Sequence, residues 1–169
     1  SLEPFFNDAD LEGRSLDAFM KDVSTYSSVF GHTWVILTKP KTNASTRAEE
    51  LMHEVRPYAS VRTPLSVLDW RYERSQSGYY VLSYLQHVED MAGGEIVIKE
   101  WTADDIYTTV LDDEKKEVRK QFNEVNELGM IPAICVYSNR SPIRGVGISE
   151  IGDIADLNRA IYNEYSEIE

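Results

Sequence analysis

The amino-acid sequence predicts an α+β fold: an antiparallel sheet, largely a meander, with flanking helices and a long C-terminal amphipathic helix. Two observations predict it. Residues 79–111 are rich in aromatic and β-branched side chains and contain an Ala92-Gly93-Gly94 turn. Apolar residues then recur at steps of three and four from Ile151 to Ile168, which is typical of a helix with one apolar face.

The chain begins with a predicted lead-in, a helix and a strand. Residues 1–14 carry turn-forming side chains with little periodicity, so a loose segment is expected there. Ser15 can cap a helix with an apolar face, and Gly31 can end it. Residues 34–37 are apolar and predict a strand.

The next stretch is predicted to join a helix to two short strands. Thr46 and Glu49 form a capping box, so a helix is expected to begin there and to stop before Pro57. Strands are expected on both sides of a bend at Pro64, and the second is predicted to enter the segment Trp70-Arg71-Tyr72.

Beyond the meander, one segment is ambiguous and another is clear. Residues 112–116 are all charged and predict a turn. Residues 117–127 fit both helical spacing and strand alternation, so both interpretations stay open. The apolar run 129–137 is bounded by Gly and by Ser-Asn, and it predicts a strand that is covered on both faces.

A glycine-containing loop leads into the C-terminal helix. Gly145 and Gly147 are interpreted as a flexible connector that frees the backbone φ angle, and Ser149 as the N-cap of the helix. A nucleotide-binding loop is disfavoured, because the third glycine of a dinucleotide fingerprint and the lysine of a P-loop are both missing.

Three segments are therefore predicted along the chain. They are a loose lead-in over 1–14, an α+β domain over 15–147, and a helix over 148–169 that leads toward a further stem region. The lack of an initiator Met and a helix that still runs at Glu169 predict that the chain is part of a longer protein.

Composition and charge argue against several classes of protein. The 169 residues carry 17 Lys and Arg against 29 Asp and Glu, a net charge of -12. This charge disfavours a surface that grips nucleic acid through its phosphates. No apolar run approaches the ~20 residues of a membrane helix, and the first residues lack a signal-peptide pattern, so a cytosolic origin is expected. The single Cys135 excludes an internal disulfide and is predicted to be a small core side chain.

No catalytic, cofactor-binding or metal-ligating residue is assigned, and no cofactor is expected. His32, His53 and His87 are scattered along the sequence, and each is interpreted as a surface or half-buried residue. The acidic residues that could bind metal occur as adjacent pairs at predicted strand ends, where turn residues are usual. They are Asp104, Asp105, Asp112 and Asp113. The alternative is a metal-dependent hydrolase domain that uses these carboxylates with a His.

Several short segments keep a defined order and spacing from about Leu16 onward. They are Phe30–Leu37, Arg56–Tyr58, Val67–Tyr72, Leu128–Pro132, Tyr137–Asn139 and Ile154–Ser166. In this arrangement the chain resembles the portal proteins of tailed bacteriophages. The segment it resembles is the wing, the outward β-rich part of the subunit.

The resemblance implies a structural subunit of a head-tail connector ring, usually a dodecamer, and not an enzyme. Such a ring sits at one vertex of the capsid, and DNA is packaged and ejected through it without sequence-specific binding. The implied partners are identical subunits, the capsid, the terminase and neck or tail proteins, with no membrane. The ring belongs to the virion and is assembled in the cytoplasm of the bacterial host. Another capsid or neck adaptor protein is a further alternative.

Overall fold

The computed structural model describes residues 2–40, 46, 49, 52, 55–112, 114 and 118–166. The chain divides into two compact units. The first unit is Ser1–Thr33 with Cys135–Glu169, and the second is Trp34–Ile134. The boundaries expected at residues 14 and 147 from the sequence both fall within the first unit.

The described residues form three helices and ten strands. The helices are α1 (Glu3–Asn7), α2 (Leu16–Phe30) and α3 (Gly152–Ser166). The strands are β1 (His32–Thr38), β2 (Tyr58–Arg62), β3 (Val67–Arg74), β4 (Tyr80–Ala92), β5 (Glu95–Trp101), β6 (Asp105–Asp112), β7 (Val118–Val125), β8 (Ala133–Tyr137), β9 (Asn139–Arg140) and β10 (Gly147–Ile148). This content confirms the predicted α+β class.

The predicted meander is confirmed in the second unit. Five strands follow one another in the order β3-β4-β5-β6-β7, and each is antiparallel to its neighbour. Gly93 and Gly94 make the turn between β4 and β5 with φ angles of 63° and 76°, which side chains with a Cβ rarely adopt. Within the ambiguous segment 117–127, Val118–Val125 forms a strand that pairs with β6.

A second sheet has the order β2-β1-β8, and it corrects one prediction. The apolar run 129–137 was expected to be one strand covered on both faces. Gly129 instead takes a φ of 62° in a turn, and only Ala133–Tyr137 is extended. Ile134 is 63% exposed whereas Cys135 beside it is 8% exposed, so only one face of β8 is covered.

One of the two hydrogen bonds of the predicted capping box is present, and most residues of the helix predicted to follow it lie outside the described residues. The backbone N–H of Glu49 donates to Thr46 Oγ1 at 3.2 Å. Within residues 1–14 the structure has α1, followed by Ala9 and Asp10, which are both buried. Arg14 holds this segment through ion pairs with Asp10 and Asp22.

Each unit has its own buried side chains. In the first unit, Phe19 and Val23 of α2 are each 1% exposed. In the second, Trp34 is fully buried, and its ring centroid lies 6.1 Å from that of Trp70 and 6.5 Å from that of Tyr72. Burying each large apolar side chain contributes about 1.5–3 kcal/mol, so these residues are the main source of stability.

Candidate functional site

The helix α3 presents an apolar stripe to solvent. All of its residues are exposed. Four large side chains at helical steps form what we call the α3 stripe: Ile154 (62% exposed), Leu157 (61%), Ile161 (45%) and Tyr165 (72%). Because residues three and four apart lie on the same face of a helix, these side chains make one continuous surface.

The charged residues of α3 are mostly acidic. Asp153 stands in the first turn, where the positive end of the helix dipole favours a carboxylate. Arg159 Nη2 lies 3.1 Å from Asp156 Oδ1, a pair one turn apart on the surface. Glu164 adds a further negative charge near the C-terminal end. A partner of this helix therefore needs an apolar surface with few acidic groups.

The segment before α3 is fixed to the end of α2. Ser149 Oγ donates to the carbonyl of Val29 at 2.6 Å, and the N–H of Glu150 donates to the carbonyl of Ser28 at 3.0 Å. These carbonyls lie in the last turn of α2, where no intrahelical donor is left for them. Ser149 is thus not the N-cap that the sequence predicted, since α3 begins at Gly152.

The predicted flexible connector is also fixed in place. Gly145 does use a positive φ of 77°, but its N–H donates to the hydroxyl of Tyr137 at 2.8 Å. Gly147 needs no special φ. It is required because a Cβ atom there would overlap the carbonyl of Gly31. Its N–H donates to His32 Nδ1 at 3.1 Å, so the loop is held at both glycines.

The second unit contains a cleft of about 500 Å³. Aromatic side chains and oppositely charged groups line it together: Tyr58 and Trp101, Lys39 and Lys99, Glu124 and Glu127. Asn126 braces one wall, because its amide donates to the carbonyls of Thr102 and Met130 at 2.8 and 2.9 Å. The lining carries both positive and negative groups, so its charge does not favour a ligand of one sign.

A buried polar network stands beside the cleft. Trp101 Nε1 donates to His87 Nε2 at 3.2 Å, and His87 Nδ1 lies 3.3 Å from the carbonyl of Val88. An indole N–H only donates, so Nε2 accepts and the proton of the neutral imidazole is on Nδ1. Burial lowers the pKa of His87 to about 4, which keeps the ring neutral near pH 7. Both nitrogens are therefore used in structural hydrogen bonds.

Glu89 completes this network between two cations. Its carboxylate lies 2.8 Å from Arg62 Nη2 and 3.2 Å from Lys99 Nζ. Burial alone would raise the pKa of Glu89, but Lys99 and Arg62 lower it below the ordinary value. The carboxylate is therefore charged and paired, which is a structural arrangement. No local sequence pattern predicts this network, because its members lie on different strands.

The structure does not group those candidate metal-binding carboxylates that lie within its described residues. Asp105 begins β6 and Asp112 ends it, so about 24 Å of extended chain separates them. Asp113 and His53 lie outside the described residues. Asp112 is ion-paired with Arg119. In the part of the chain that the structure describes, no three His, Cys, Asp or Glu residues are grouped to hold a metal ion.

The remaining singled-out residues are buried. His32 is 6% exposed and His87 is 1% exposed, which corrects their interpretation as surface or half-buried residues. Burial lowers the pKa of His32 as well. Cys135 is 8% exposed, and its interpretation as a core side chain is confirmed. Burial raises the pKa of its thiol to about 11.

The described helices are also too short or too polar to cross a membrane. Comparison with known proteins assigns the chain to no family: it matches no protein-family model, and no curated protein is significantly similar to it.

Proposed function

We propose that this chain is a structural, non-enzymatic segment of a phage portal subunit, the head-tail connector ring at one capsid vertex. DNA is packaged and ejected through this ring without sequence-specific binding. The partners of the subunit are identical subunits, the capsid, the terminase and neck or tail proteins. The ring belongs to the virion and is assembled in the cytoplasm of the bacterial host.

The exposure of the α3 stripe is the observation that carries this proposal. Helices on the surface of a monomer normally bury their apolar face against the core. Here Ile154, Leu157 and Ile161 stay between 45% and 62% exposed. Covering such side chains contributes about 1.5–3 kcal/mol each when burial is complete, so the stripe favours assembly with another surface. Repeated subunits in a ring provide that surface to one another.

Two further properties support the proposal. The antiparallel meander agrees with the β-rich wing that the sequence resemblance implies. The net charge of -12 disfavours a surface that grips nucleic acid through its phosphates, which agrees with a segment that does not bind DNA.

The proposal is tested by measuring the oligomeric state of the protein and of two α3 variants. Native mass spectrometry and electron microscopy of the full-length protein are expected to show closed rings with a central hole. Leu157→Asp puts a charge into the α3 stripe, so it is expected to shift the mass to monomers. Asn163→Asp, on the opposite face of the helix, is the matched control and should leave the rings intact. A full-length protein that stays monomeric contradicts the proposal, as do two variants with the same effect.

A further inference from the structure

The outer edge of β7 is a second surface without a partner in the described structure. β7 is the last strand of the meander, and no strand among the described residues pairs with its far side. Val118 is 56% exposed, Phe122 53% and Val125 72%. Such an edge offers a row of backbone N–H and C=O groups, and it is a template for another strand.

The side chains along β7 are self-complementary. Lys120, Phe122 and Glu124 share one face, since they pair with alternate residues of β6. If a second copy of β7 lies antiparallel and is centred on Phe122, Lys120 of each copy stands opposite Glu124 of the other. On the other face, Gln121 stands opposite Asn123 of the second copy. The contact then contains two Lys120–Glu124 pairs and two Gln121–Asn123 pairs.

We propose that β7 pairs antiparallel with β7 of a second copy of this chain, in a two-fold contact centred on Phe122. The two five-stranded sheets then become one continuous sheet. The two Phe122 rings stand directly opposite each other, as an aromatic cross-strand pair. Two Lys120–Glu124 pairs flank them.

Other registers lack this match. A shift of the centre to Gln121 places Lys120 opposite Phe122, and a shift to Asn123 places Glu124 opposite Phe122. Parallel pairing in register places Lys120 beside Lys120 and Glu124 beside Glu124, which is unfavourable. The charge pattern therefore selects both the direction and the register of the contact.

This contact goes beyond the proposed function. A two-fold contact uses the same patch on both copies, whereas a ring is closed by head-to-tail contacts between different patches. The β7 contact would join two free subunits, or two rings face to face. It does not depend on the α3 stripe, so the two can be tested apart.

The experiment measures dimerisation by sedimentation equilibrium in the Leu157→Asp background, where the α3 contact is removed. Lys120→Glu and Glu124→Lys each place like charges opposite one another at two positions. Each is expected to raise the dimer dissociation constant about tenfold or more. The double variant Lys120→Glu/Glu124→Lys exchanges the two charges and restores the pairs, so its dissociation constant should return to within about threefold of the parent.

A second measurement needs no substitution in β7. Amide hydrogen exchange in β7 of the parent protein should slow between micromolar and millimolar concentration, because pairing protects the outward N–H groups. Exchange that is independent of concentration overturns the proposal. So does a parent that stays monomeric at millimolar concentration, or a folded double variant that dimerises no better than the single variants.

Discussion

The backbones of Gly31 and Gly147 lie so close together that a Cβ atom on Gly31 would stand 2.6 Å from the carbonyl carbon of Gly147. The obstructing atoms are backbone atoms, which cannot rotate away as a side chain can. A Cβ atom on Gly147 would likewise overlap the carbonyl of Gly31, so Gly147→Ala is expected to lower the free energy of unfolding by about 2 kcal/mol or more. Urea unfolding followed by circular dichroism measures this loss.

Gly152→Ala is the matched control for this prediction. A Cβ atom on Gly152 would lie 3.7 Å from Ser149 Cβ, an ordinary contact. Because alanine favours the helix over glycine, this variant should be neutral or more stable by up to about 1 kcal/mol. Equal stability of the two alanine variants would show that the backbones of Gly31 and Gly147 are not in contact.

Stability is expected to fall as the pH is lowered from 6.5 to 4, because of His87. Burial lowers the pKa of His87 from 6.5 to about 4, so in this window the unfolded chain binds a proton that the folded chain does not. The free energy of unfolding then rises with pH, by roughly 3 kcal/mol across the whole window. Urea midpoints at a series of pH values measure the slope.

His87→Gln isolates this contribution, because glutamine does not titrate. Burial also lowers the pKa of His32, so part of the slope stays in the variant. Glu89 contributes to the pH dependence in a lower range. Its pKa is below the ordinary 4.5, so its contribution to the free energy of unfolding is lost only as the pH falls below about 4.5. An unchanged slope between pH 6.5 and 4.5 in His87→Gln would rule out the buried neutral imidazole.

Local sequence signals predicted much of the fold. The Ala92-Gly93-Gly94 turn and the β-branched runs around it act within a few residues, and the meander follows from them. Ser15 also caps α2 as expected, with its side chain accepting from the N–H of Ala18. These features are decided by neighbours in sequence, so a pattern can reveal them.

Features that depend on distant residues were missed or misread. Ser149 looked like a helix cap, but it binds carbonyls 120 and 121 residues earlier in the chain. His87 contacts Trp101 because β4 and β5 pair. The sequence pattern predicts these strands, but it does not predict which of their residues lie opposite one another. The local pattern around Gly147 predicts a flexible connector. The close approach of Gly147 to Gly31 cannot be predicted from neighbouring residues.

Apolar residues of similar size should differ sharply in their effect on the stability of the monomer. Phe19 is 1% exposed in α2, so Phe19→Ala is expected to cost about 3–5 kcal/mol. Leu157 is 61% exposed on α3, so Leu157→Ala should change the stability of a dispersed subunit by less than about 0.5 kcal/mol. Chemical unfolding at low protein concentration measures both. A large loss for Leu157→Ala would mean that the α3 stripe packs within the monomer.

The thiol of Cys135 should be unreactive in the folded protein. Burial raises its pKa from 9.0 to about 11, although a hydrogen bond with Tyr137 acts in the opposite direction. The thiolate is the reactive form, so its fraction near pH 7 is lower by about 100-fold than in an unfolded chain. Limited access to the sulfur slows the reaction further.

Labelling with a disulfide reagent, with and without urea, tests this expectation. The folded protein should react at least about 100-fold more slowly than the unfolded protein near pH 7. Its rate should keep rising between pH 9 and pH 11. The rate of the unfolded protein should level off near pH 9, the ordinary pKa of a thiol. Free glutathione is the control for the effect of urea on the reagent. Equal rates in the folded and unfolded protein would place Cys135 at the surface, against its buried position in β8.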